Sequence, residues 1–385
     1  MPELTPSQQT WKIFKRNKSA MVGLAFIIIT ALITILGYLI MPDSTPDANN
    51  MIIQLSLKKP ETKFMFLNLH KSEPVDTVSI FTKMLSGQAS FYHEIPITGY
   101  YFAKDSIYIN QYVGNEDKPE KRSYSIAEVA TGQKQTSAQI KNLSALKQQI
   151  ADKQITRKTF WLGTDIYGRD MLSRLLLGTR VSLSVGLMSV LISILLGVSI
   201  GAIAGYFGGW LDTVLSWLMN ILWALPALLL VIAISFALGK GLWEIFVAVG
   251  LSMWVEVARL VRGQVISLKQ VEYVEAARSM GFGNARIIIK HILPNIIGPI
   301  LVLAASNFAT AILLEAGLSF LGFGAQPPMP TWGSMIRENY AYIVMDSAYL
   351  AVLPGLAIMF LVYSFNLVTT GLRDAFDIKS QNIQI

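Results

Sequence analysis

The amino-acid sequence predicts an all-α polytopic membrane protein with six transmembrane helices and an inserted extracytoplasmic α+β module. Composition supports the membrane class, because 52% of the 385 residues are hydrophobic and only 15% are charged. Six apolar runs support the helices, because each has about 20 residues or more, the length that crosses a bilayer. A polar stretch, 42–160, separates the first run from the second and indicates the module.

The first apolar run, from about Ala20 to Met41, is interpreted as a retained transmembrane helix. It is longer than the apolar region of a cleaved signal peptide. Basic residues just before it place the N-terminus in the cytoplasm, because Lys and Arg are enriched on that side of a membrane. These residues are Lys12, Lys15, Arg16 and Lys18. We therefore assign 1–41 to a cytoplasmic N-terminus and the first span.

Residues 42–160 are predicted to form an extracytoplasmic inserted domain. Strand patterns occur at 64–69, 100–102 and 107–112, and an amphipathic helix pattern at 136–155. Its lysines do not oppose this location, because long loops are translocated largely regardless of charge. The isolated His70 and His93, in a chain without cysteine, give no reason to assign a metal site.

Five further spans are predicted at about 181–206, 211–236, 243–261, 292–317 and 348–367. Small residues four apart at Gly197, Gly201 and Gly205 indicate a packed helix face, and Pro226 indicates a bend. An even number of spans returns the C-terminus to the cytoplasm. We assign 161–377 to a membrane core and 378–385 to a cytoplasmic tail.

A dense polar motif precedes the second span. Gly163 and Gly168 permit tight turns, and Asp165 can cap a helix. Asp170 and Arg174 form an i,i+4 pair that would support an interfacial helix. Two interpretations of the arginines stay open, namely a clamp on a peptide carboxylate, or local ion pairs and lipid headgroup contacts. The arginines concerned are Arg169, Arg174 and Arg180.

The segment 271–294 is a basic, polar island between two apolar runs. Its sequence predicts a helix that ends at Gly281 with a left-handed cap, followed by a second short helix that Asn284 can cap. Pro294 falls near the start of the next apolar run. Basic residues cluster around this segment, which places it in the cytoplasm. They are Arg259, Arg262, Lys269, Arg278, Arg286 and Lys290.

The first helix of this segment is suited to docking. Ala276 and Ala277 leave one of its faces without bulk, so that the surface of another protein can approach closely. A loop that only had to cross the surface would not need two helices. We interpret the segment as a docking element for another protein.

The spacing of Glu275-Ala276-Ala277, Gly281 and Leu293-Pro294 resembles the EAA loop of ABC-importer permeases. The segments 162–183 and 315–333 resemble the same family. The chain is identified as a member of the C-type permease subunits of the dipeptide/oligopeptide/nickel branch. The resemblance covers 11–41 and about 160–377, and it implies the type I importer permease fold. It also implies that Glu275, Ala276, Ala277, Gly281, Leu293 and Pro294 couple the chain to ATPase subunits.

The resemblance further implies a set of partners. A second permease would form a heterodimer with this chain, two ATPase subunits would bind ATP and Mg²⁺, and an extracytoplasmic binding protein would deliver peptides. The chain itself would bind no cofactor and would not be an enzyme, and it has no G-x-x-x-x-G-K-[ST] phosphate loop. The expected location is the bacterial cytoplasmic membrane, in contact with lipid. No basic stripe with interleaved aromatics indicates nucleic acid.

Several polar residues are candidates for the transport pathway or its gate. Glu315 is one, because an ionisable residue near the membrane is costly unless it has a role; a salt bridge or interfacial exposure would explain it equally well. The Gly/Pro-rich stretch that follows it is suited to a re-entrant gate. Ser306, Asn307 and Thr310 could line the pathway or form interhelical hydrogen bonds, and Pro226 could allow motion.

Other functions remain open at this stage. A stand-alone ion-coupled transporter would show inverted repeats and mid-membrane charges, and neither is evident. A membrane-anchored receptor would need only one span. Within the family, nickel is the alternative to peptides, although no span clearly provides His or carboxylate ligands. The insert at about 50–155 has no precedent in the family, so its function is not readable.

Overall fold

A computed structural model describes residues 6–114, 118–132, 143–239 and 241–381. This part of the chain divides into two compact units. The helical unit comprises residues up to Thr34, Thr179–Glu338 and residues from Val352 onward. The sheet unit comprises Ile35–Gly178 and Asn339–Ala351.

Two helices open the described chain, α1 (Pro6–Arg16) and α2 (Lys18–Ile40). Asn17 separates them, and its side-chain oxygen accepts a hydrogen bond from Ala20 N at 3.1 Å. This bond satisfies one of the free amides at the start of α2. The 23 residues of α2 span about 35 Å, which matches the first predicted membrane span.

The sheet unit contains a five-stranded antiparallel sheet in the order β4-β3-β2-β1-β5. Its strands are β1 (Thr62–His70), β2 (Tyr92–Ala103), β3 (Ser106–Gln111), β4 (Glu120–Ser125) and β5 (Ile155–Phe160). In the register of the sheet, Phe66 on β1 lies opposite Pro96 on β2 and Thr156 on β5. The last strand of the unit therefore pairs with the first.

Short helices accompany the sheet: α3 (Ile80–Ser86), α4 (Ile126–Thr131) and α5 (Leu143–Gln149). Alternate residues of the strands, such as Ile107 and Ile109, are buried in one cluster with Ile126 and Val129 of α4. This alternation is expected when one sheet face packs on helices. The α+β character predicted for the insert is thus present.

The strand predictions at 64–69, 100–102 and 107–112 are confirmed by β1, β2 and β3. Sequence reasoning missed β4 and β5, whose Lys, Arg and Glu residues hide the strand pattern. The predicted helix at 136–155 is helical over 143–154, where a π turn (Ile150–Gln154) follows α5, but Ile155 already begins β5. Residues 136–142 of that prediction lie outside the described residues.

The remaining chain is helical. Its helices are α6 (Met171–Phe207), α7 (Gly209–Ala224), α8 (Ala227–Leu238), α9 (Leu242–Leu268), α10 (Glu272–Ser279), α11 (Asn284–Ile287), α12 (Leu293–Leu321), α13 (Trp332–Asn339) and α14 (Tyr349–Gln381). Helices α6 and α14 begin in the sheet unit and continue in the helical unit.

Four helices of the described chain are long and apolar enough to cross a membrane: Lys18–Ile40, Met171–Phe207, Asn284–Leu321 and Tyr349–Asp377. The α7–α8 pair is bent by 99° and adds a fifth if it forms one span. Helix α9 covers the predicted fourth span, but four charged residues lower its apolar character: Glu244, Glu256, Arg259 and Arg262. Six spans therefore remain a prediction, while the bend predicted at Pro226 is confirmed.

Helices α6 and α9 pack closely through small residues. A Cβ atom added at Gly201 would lie 2.4 Å from the carbonyl oxygen of Ala258, and one added at Gly197 would lie 2.5 Å from Cβ of Val257. Gly205 similarly approaches Arg262. The predicted packed face of α6 is confirmed, because only glycine lets the two backbones come this close.

Candidate functional site

The predicted docking segment forms α10, a short loop and α11 within the helical unit. At the end of α10, Phe282 N donates to Ala277 O at 3.1 Å and Gly281 N donates to Arg278 O at 2.9 Å. This pair of bonds is the Schellman motif. Gly281 has a φ of +80°, in the left-handed region that glycine adopts without strain. The left-handed cap predicted at Gly281 is confirmed.

Helix α10 has one buried side and one exposed side. Val274 and Ala277 are buried and pack in a cluster with Val261, Ile287 and other apolar residues of α9, α11 and α12. The exposed residues of α10 are Glu272, Tyr273, Glu275, Ala276, Arg278 and Ser279. Ala276 thus lies on the exposed side, where contact with another protein stays a prediction, whereas the prediction that Ala277 lies on an open face is wrong. Ala277 is small because it packs on the core of this chain.

Helix α11 begins after Gly283, whose extended backbone provides the N-cap without a side-chain hydrogen bond. The prediction that Asn284 caps this helix is wrong, because Asn284 is its first helical residue. Its side-chain oxygen instead accepts a hydrogen bond from the Tyr206 hydroxyl at 3.0 Å, which ties α11 to the end of α6. Pro294 lies in the first turn of α12, as predicted, with Leu293 partly buried before it.

A hydrogen-bond network joins α10 to the start of α12. The Asn295 side-chain amide donates to His291 O at 2.6 Å and to the Tyr273 hydroxyl at 3.2 Å. Burial raises the pKa of Tyr273 above its usual value, and the bond from Asn295 partly opposes that shift. These bonds hold α10 against the start of α12.

The outer surface of the segment mixes charge with large apolar side chains. Met280 is 65% exposed and Ile289 is 61% exposed. Exposed basic residues lie close to them in sequence: Arg278, Arg286 and Lys290. Exposed apolar side chains rimmed by polar ones are typical of surfaces that contact another protein.

The pre-span motif forms a buried cluster in the sheet unit. Gly163 and Gly168 have φ values of +75° and +72°, so the predicted turns are confirmed. Asp165 accepts hydrogen bonds from Arg169 Nε at 2.6 Å and forms an ion pair with Arg174 Nε at 3.6 Å. All three side chains are at most 3% exposed. Asp165 therefore pairs with both arginines, which favours local ion pairs over a carboxylate clamp at these two positions.

Asp170 has a different role in the same motif. Its Oδ2 accepts hydrogen bonds from Ser173 N at 2.8 Å and Ser173 Oγ at 2.5 Å, so it satisfies free groups at the start of α6. The helix cap expected of Asp165 is supplied by Asp170 instead. Burial raises the pKa of Asp170, and the nearby Asp43 carboxylate adds to this shift. In the helical unit, Arg180 Nε donates to Thr34 O at 3.2 Å.

Glu315 lies fully buried on α12. Its Oε1 accepts a hydrogen bond from Ser319 Oγ at 2.6 Å, and the hydroxyls of Ser182 and Thr331 lie beside the same carboxyl group. Its second oxygen, Oε2, has no hydrogen-bond partner in the described part of the chain. Glu315 is thus neither exposed nor salt-bridged among the described residues, and its role in the pathway stays a prediction.

The other pathway candidates do not share one face. Asn307 is buried and its Nδ2 has no partner within the described chain, whereas Thr310 is exposed and donates to Ser306 O at 3.3 Å. Ser306 is partly buried. Pro226 lies at the break between α7 and α8 and supplies the N-cap of α8. These four residues are therefore not brought together as one lining.

Sequence reasoning missed a polar site where α7 and α9 meet. A cavity of about 460 Å³ is lined by Ser216, Met219, Asn220, Arg259 and Arg262. Arg262 binds Asp212 with two hydrogen bonds of 2.5 and 2.7 Å. Arg259 donates to Asn220 Oδ1 at 2.8 Å and lies 4.5 Å from the Trp223 ring centroid. The available signal was the i,i+4 spacing of polar residues 212, 216 and 220 within an apolar run.

Comparison with known proteins identifies two regions of similarity. Residues 197–380 match the family described as binding-protein-dependent transport system inner membrane component. Residues 5–60 match the N-terminal transmembrane domain of oligopeptide transport permease C. Neither match includes 61–196, the stretch that contains the sheet.

Individual relatives agree with these matches. The chain is 44% identical over 219 residues to the glutathione transport system permease protein GsiD of Pectobacterium atrosepticum, covering 57% of this chain and 72% of the relative. It is 43% identical over 222 residues to the dipeptide transport system permease protein DppC of Alkalihalophilus pseudofirmus, covering 58% and 73%.

Among solved structures, the MetNI methionine ABC transporter in an inward-facing conformation has a TM-score of 0.42 and 20% identity to this chain, covering 53% of it. The two domain matches and the relatives agree among themselves. The chain therefore belongs to the binding-protein-dependent inner-membrane permeases, as a C-type permease of the dipeptide and oligopeptide branch.

Proposed function

We propose that this chain carries peptides across the membrane and that ATPase subunits drive it by docking on the exposed face of α10 and α11. The observation that carries this proposal is the build of the docking segment. Its underside is anchored in the apolar cluster through Val274 and Ala277, while charged and apolar side chains remain exposed above it. A segment held rigidly on one side and open on the other is suited to transmit force.

The assignment of peptides rests on the relatives. Their names specify glutathione and dipeptide transport, and the family match covers the segment that contains both α10 and α12. The partners follow from the same membership: a second permease to complete a heterodimer, two ATPase subunits that bind ATP and Mg²⁺, and a substrate-binding protein. No observation specifically favours nickel over peptides.

The proposed architecture is the type I importer permease with six spans. This count takes α9 as one span and the bent α7–α8 pair as another. The coupling segment and both termini then lie in the cytoplasm of a bacterial inner membrane, and the sheet lies outside. Basic residues near α10 support this orientation, because Lys and Arg favour the cytoplasmic side.

Cysteine labelling tests the orientation directly, because the chain has no native cysteine. Ser86 on α3 and Ser279 on α10 are both exposed and provide matched positions. We expect a membrane-impermeant maleimide to label Ser86→Cys in intact cells and Ser279→Cys only after the membrane is permeabilised. The reverse pattern would invert the topology.

Two glycines of the docking segment provide a test of coupling. Neither Gly281 nor Gly283 has an atom within 4 Å of an added Cβ, but only Gly281 has a positive φ. Gly281→Ala should therefore strain the end of α10 by about 1 kcal/mol or more, whereas Gly283→Ala should not. In the complex purified with its ATPases, we expect Gly281→Ala to lower peptide uptake per ATP hydrolysed and Gly283→Ala to leave it unchanged.

A charge reversal provides a second test of the same surface. Glu275 is exposed and has no part in the buried cluster, so Glu275→Lys should leave membrane levels of the chain unchanged. We expect it to weaken co-purification of the ATPase subunits. If the chain carrying Glu275→Lys still binds ATPase and transports peptides normally, docking through this face is excluded. Transport by the purified chain alone would instead indicate a secondary transporter.

Ser319 offers a test of the pathway residues, since it donates to Glu315. We propose that the Glu315 cluster closes the outer end of the pathway. Its position on α12 near Thr331, which also caps α13 through the Ser334 amide, supports this role because it links α12 to the loop that follows. A Ser319→Ala change should then increase leakage of peptides through the transporter. If leakage is unchanged, the cluster has only a structural role.

A further inference from the structure

Arg259 is a guanidinium group without a carboxylate partner in the described chain. Its polar contact there is the 2.8 Å bond to Asn220 Oδ1, and its flat face lies over the Trp223 ring. A guanidinium group carries five N–H donors, so most of its donors are not used by this bond. Asn220 and Trp223 therefore fix the position of the group without neutralising its charge.

The neighbouring arginine, Arg262, does have a carboxylate partner. Arg262 also lines the cavity, but its two bonds to Asp212 form a closed bidentate pair. Ser216 Oγ donates to Asp212 at 3.2 Å and so reinforces the pair. The positive charge that the cavity offers to a ligand is that of Arg259.

The position of Arg259 within α9 argues for a ligand. Arg259 is the eighteenth of the 27 residues of α9 (Leu242–Leu268), a long helix of a membrane permease. Ionisable residues inside such helices commonly face a water-filled cavity and mark substrate or ion pathways. A cavity of about 460 Å³ is within the range that holds a small ligand.

We propose that Arg259 binds a carboxylate group of the transported peptide, with Asn220 and Trp223 as its positioning residues. A planar guanidinium binds a carboxylate through two parallel N–H···O bonds, and it keeps its charge at every physiological pH. The proposal rests on the proposed function that the chain carries peptides. It goes beyond that function by naming the carboxylate as the group of the peptide that this permease recognises.

An Asn220→Asp change tests the proposal, because it would place a carboxylate within hydrogen-bond reach of Arg259 in the same volume. The new carboxylate would pair with Arg259 and compete with the substrate. We expect the variant to unfold at the same temperature as the natural chain or higher, and to lose peptide uptake by a factor on the order of 10 to 100. A residue with a purely structural role would not gain stability while losing transport.

The assay measures uptake of an equimolar mixture of di- to tetrapeptides by mass spectrometry, in cells that express the complete transporter. Arg259→Gln should lose uptake as Asn220→Asp does, and Arg259→Lys should recover part of it. Asn220→Ala removes one positioning hydrogen bond and adds no competing charge, so it should lower uptake less than Asn220→Asp does. Arg262→Lys is the matched arginine control, because lysine keeps the charge that pairs with Asp212, and it should change uptake only in proportion to the amount of protein in the membrane.

The outcomes separate the two proposals. If Asn220→Asp and Arg259→Gln both transport peptides at the natural rate, Arg259 binds no substrate carboxylate, and the peptide assignment stands. If Asn220→Asp and Asn220→Ala lose uptake equally, the loss comes from the missing amide and the proposal is overturned. If the natural chain takes up no peptide at all, the proposed substrate class fails and this inference with it.

Discussion

Two places in this chain combine a pair of arginines with one aspartate. They differ in whether the aspartate pairs with both arginines or with only one of them. In the sheet unit, Asp165 contacts both Arg169 and Arg174, and all three side chains are nearly inaccessible to solvent. In the helical unit, both carboxylate oxygens of Asp212 are taken by Arg262, and Arg259 turns to Asn220 and Trp223.

Solvent access explains the difference. A fully buried guanidinium must be neutralised within the protein, because the cost of removing its charge from water is several kcal/mol. An arginine that lines an open cavity keeps part of its hydration and tolerates the lack of a counter-ion. The buried arrangement holds the chain together, and the open one leaves a charge available to a ligand.

The largest effect is expected at Asp165. An Asp165→Asn change would leave two buried guanidinium groups without their shared carboxylate, so we expect a loss of about 3–5 kcal/mol in the free energy of unfolding. Denaturation of the purified chain in mixed micelles measures this loss. A loss smaller than about 1 kcal/mol would show that other groups neutralise the arginines. It would contradict the view that the buried site depends on Asp165.

A smaller effect is expected at Arg262. Its side chain is 33% exposed and that of Asp212 is 21% exposed, so water screens the pair. Arg262→Gln should therefore cost about 1 kcal/mol, between the values for a surface pair and a buried one. The same unfolding assay applies. A loss as large as that of Asp165→Asn would mean that the α7–α9 pair is as dependent on its charges as the buried cluster.

Asp170 extends the comparison to a buried carboxylate that is not paired with an arginine in the way that Asp165 and Asp212 are. Its hydrogen bonds come from the neutral Ser173. Its pKa is raised, so the folded protein retains this proton at pH values where the unfolded chain has released it. The stability that the proton contributes is therefore complete below about pH 4 and is lost as pH rises through the raised pKa.

Asp170→Asn has no such titration, and asparagine caps helices about as well as aspartate. We expect the variant to equal or exceed the natural chain at pH 7 by less than about 1 kcal/mol, and to lose this advantage as pH is lowered to about 4. Unfolding measured across this pH range checks the sign. A variant that is markedly weaker at pH 7 would show that the charge of nearby Lys158, which opposes the raised pKa, stabilises the ionised Asp170 more than burial destabilises it.

The smallest effect on stability is expected at Arg259. It has no carboxylate partner among the described residues, so Arg259→Gln should change the free energy of unfolding by no more than about 0.5 kcal/mol. The midpoint of unfolding is compared with that of Arg262→Gln in the same micelles. If Arg259→Gln destabilises the chain more than Arg262→Gln does, Arg259 is structural and the contrast between the two sites disappears.

Much of the architecture could be predicted from residue pattern. The first span, the glycine face of α6, the bend at Pro226 and the left-handed cap at Gly281 each depend on local rules, and each is present. The edges of the sheet could not be predicted in this way. The strands β4 and β5 gain their hydrogen bonds from β3 and β1, partners that a local window does not contain.

The candidate sites also have some features that a local sequence pattern predicts and others that only tertiary packing determines. The docking segment was evident from its position between apolar runs, yet the burial of Ala277 and the true role of Asn284 depend on α9, α12 and Tyr206. The cavity at Arg259 was missed altogether, because its arginines were counted as signals of membrane orientation. Only the facing helix α7 shows that one of them is paired and the other is not.

The sequence by itself determined the membrane class, the permease family and the position of the segment that we propose for docking, because hydropathy, glycine and proline placement and motif spacing are properties of consecutive residues. The tertiary structure alone decided which charged side chains satisfy each other. Whether an arginine is neutralised depends on residues 50 positions away, as Asp212 is from Arg262. No local pattern carries that information, since it arises only when helices pack.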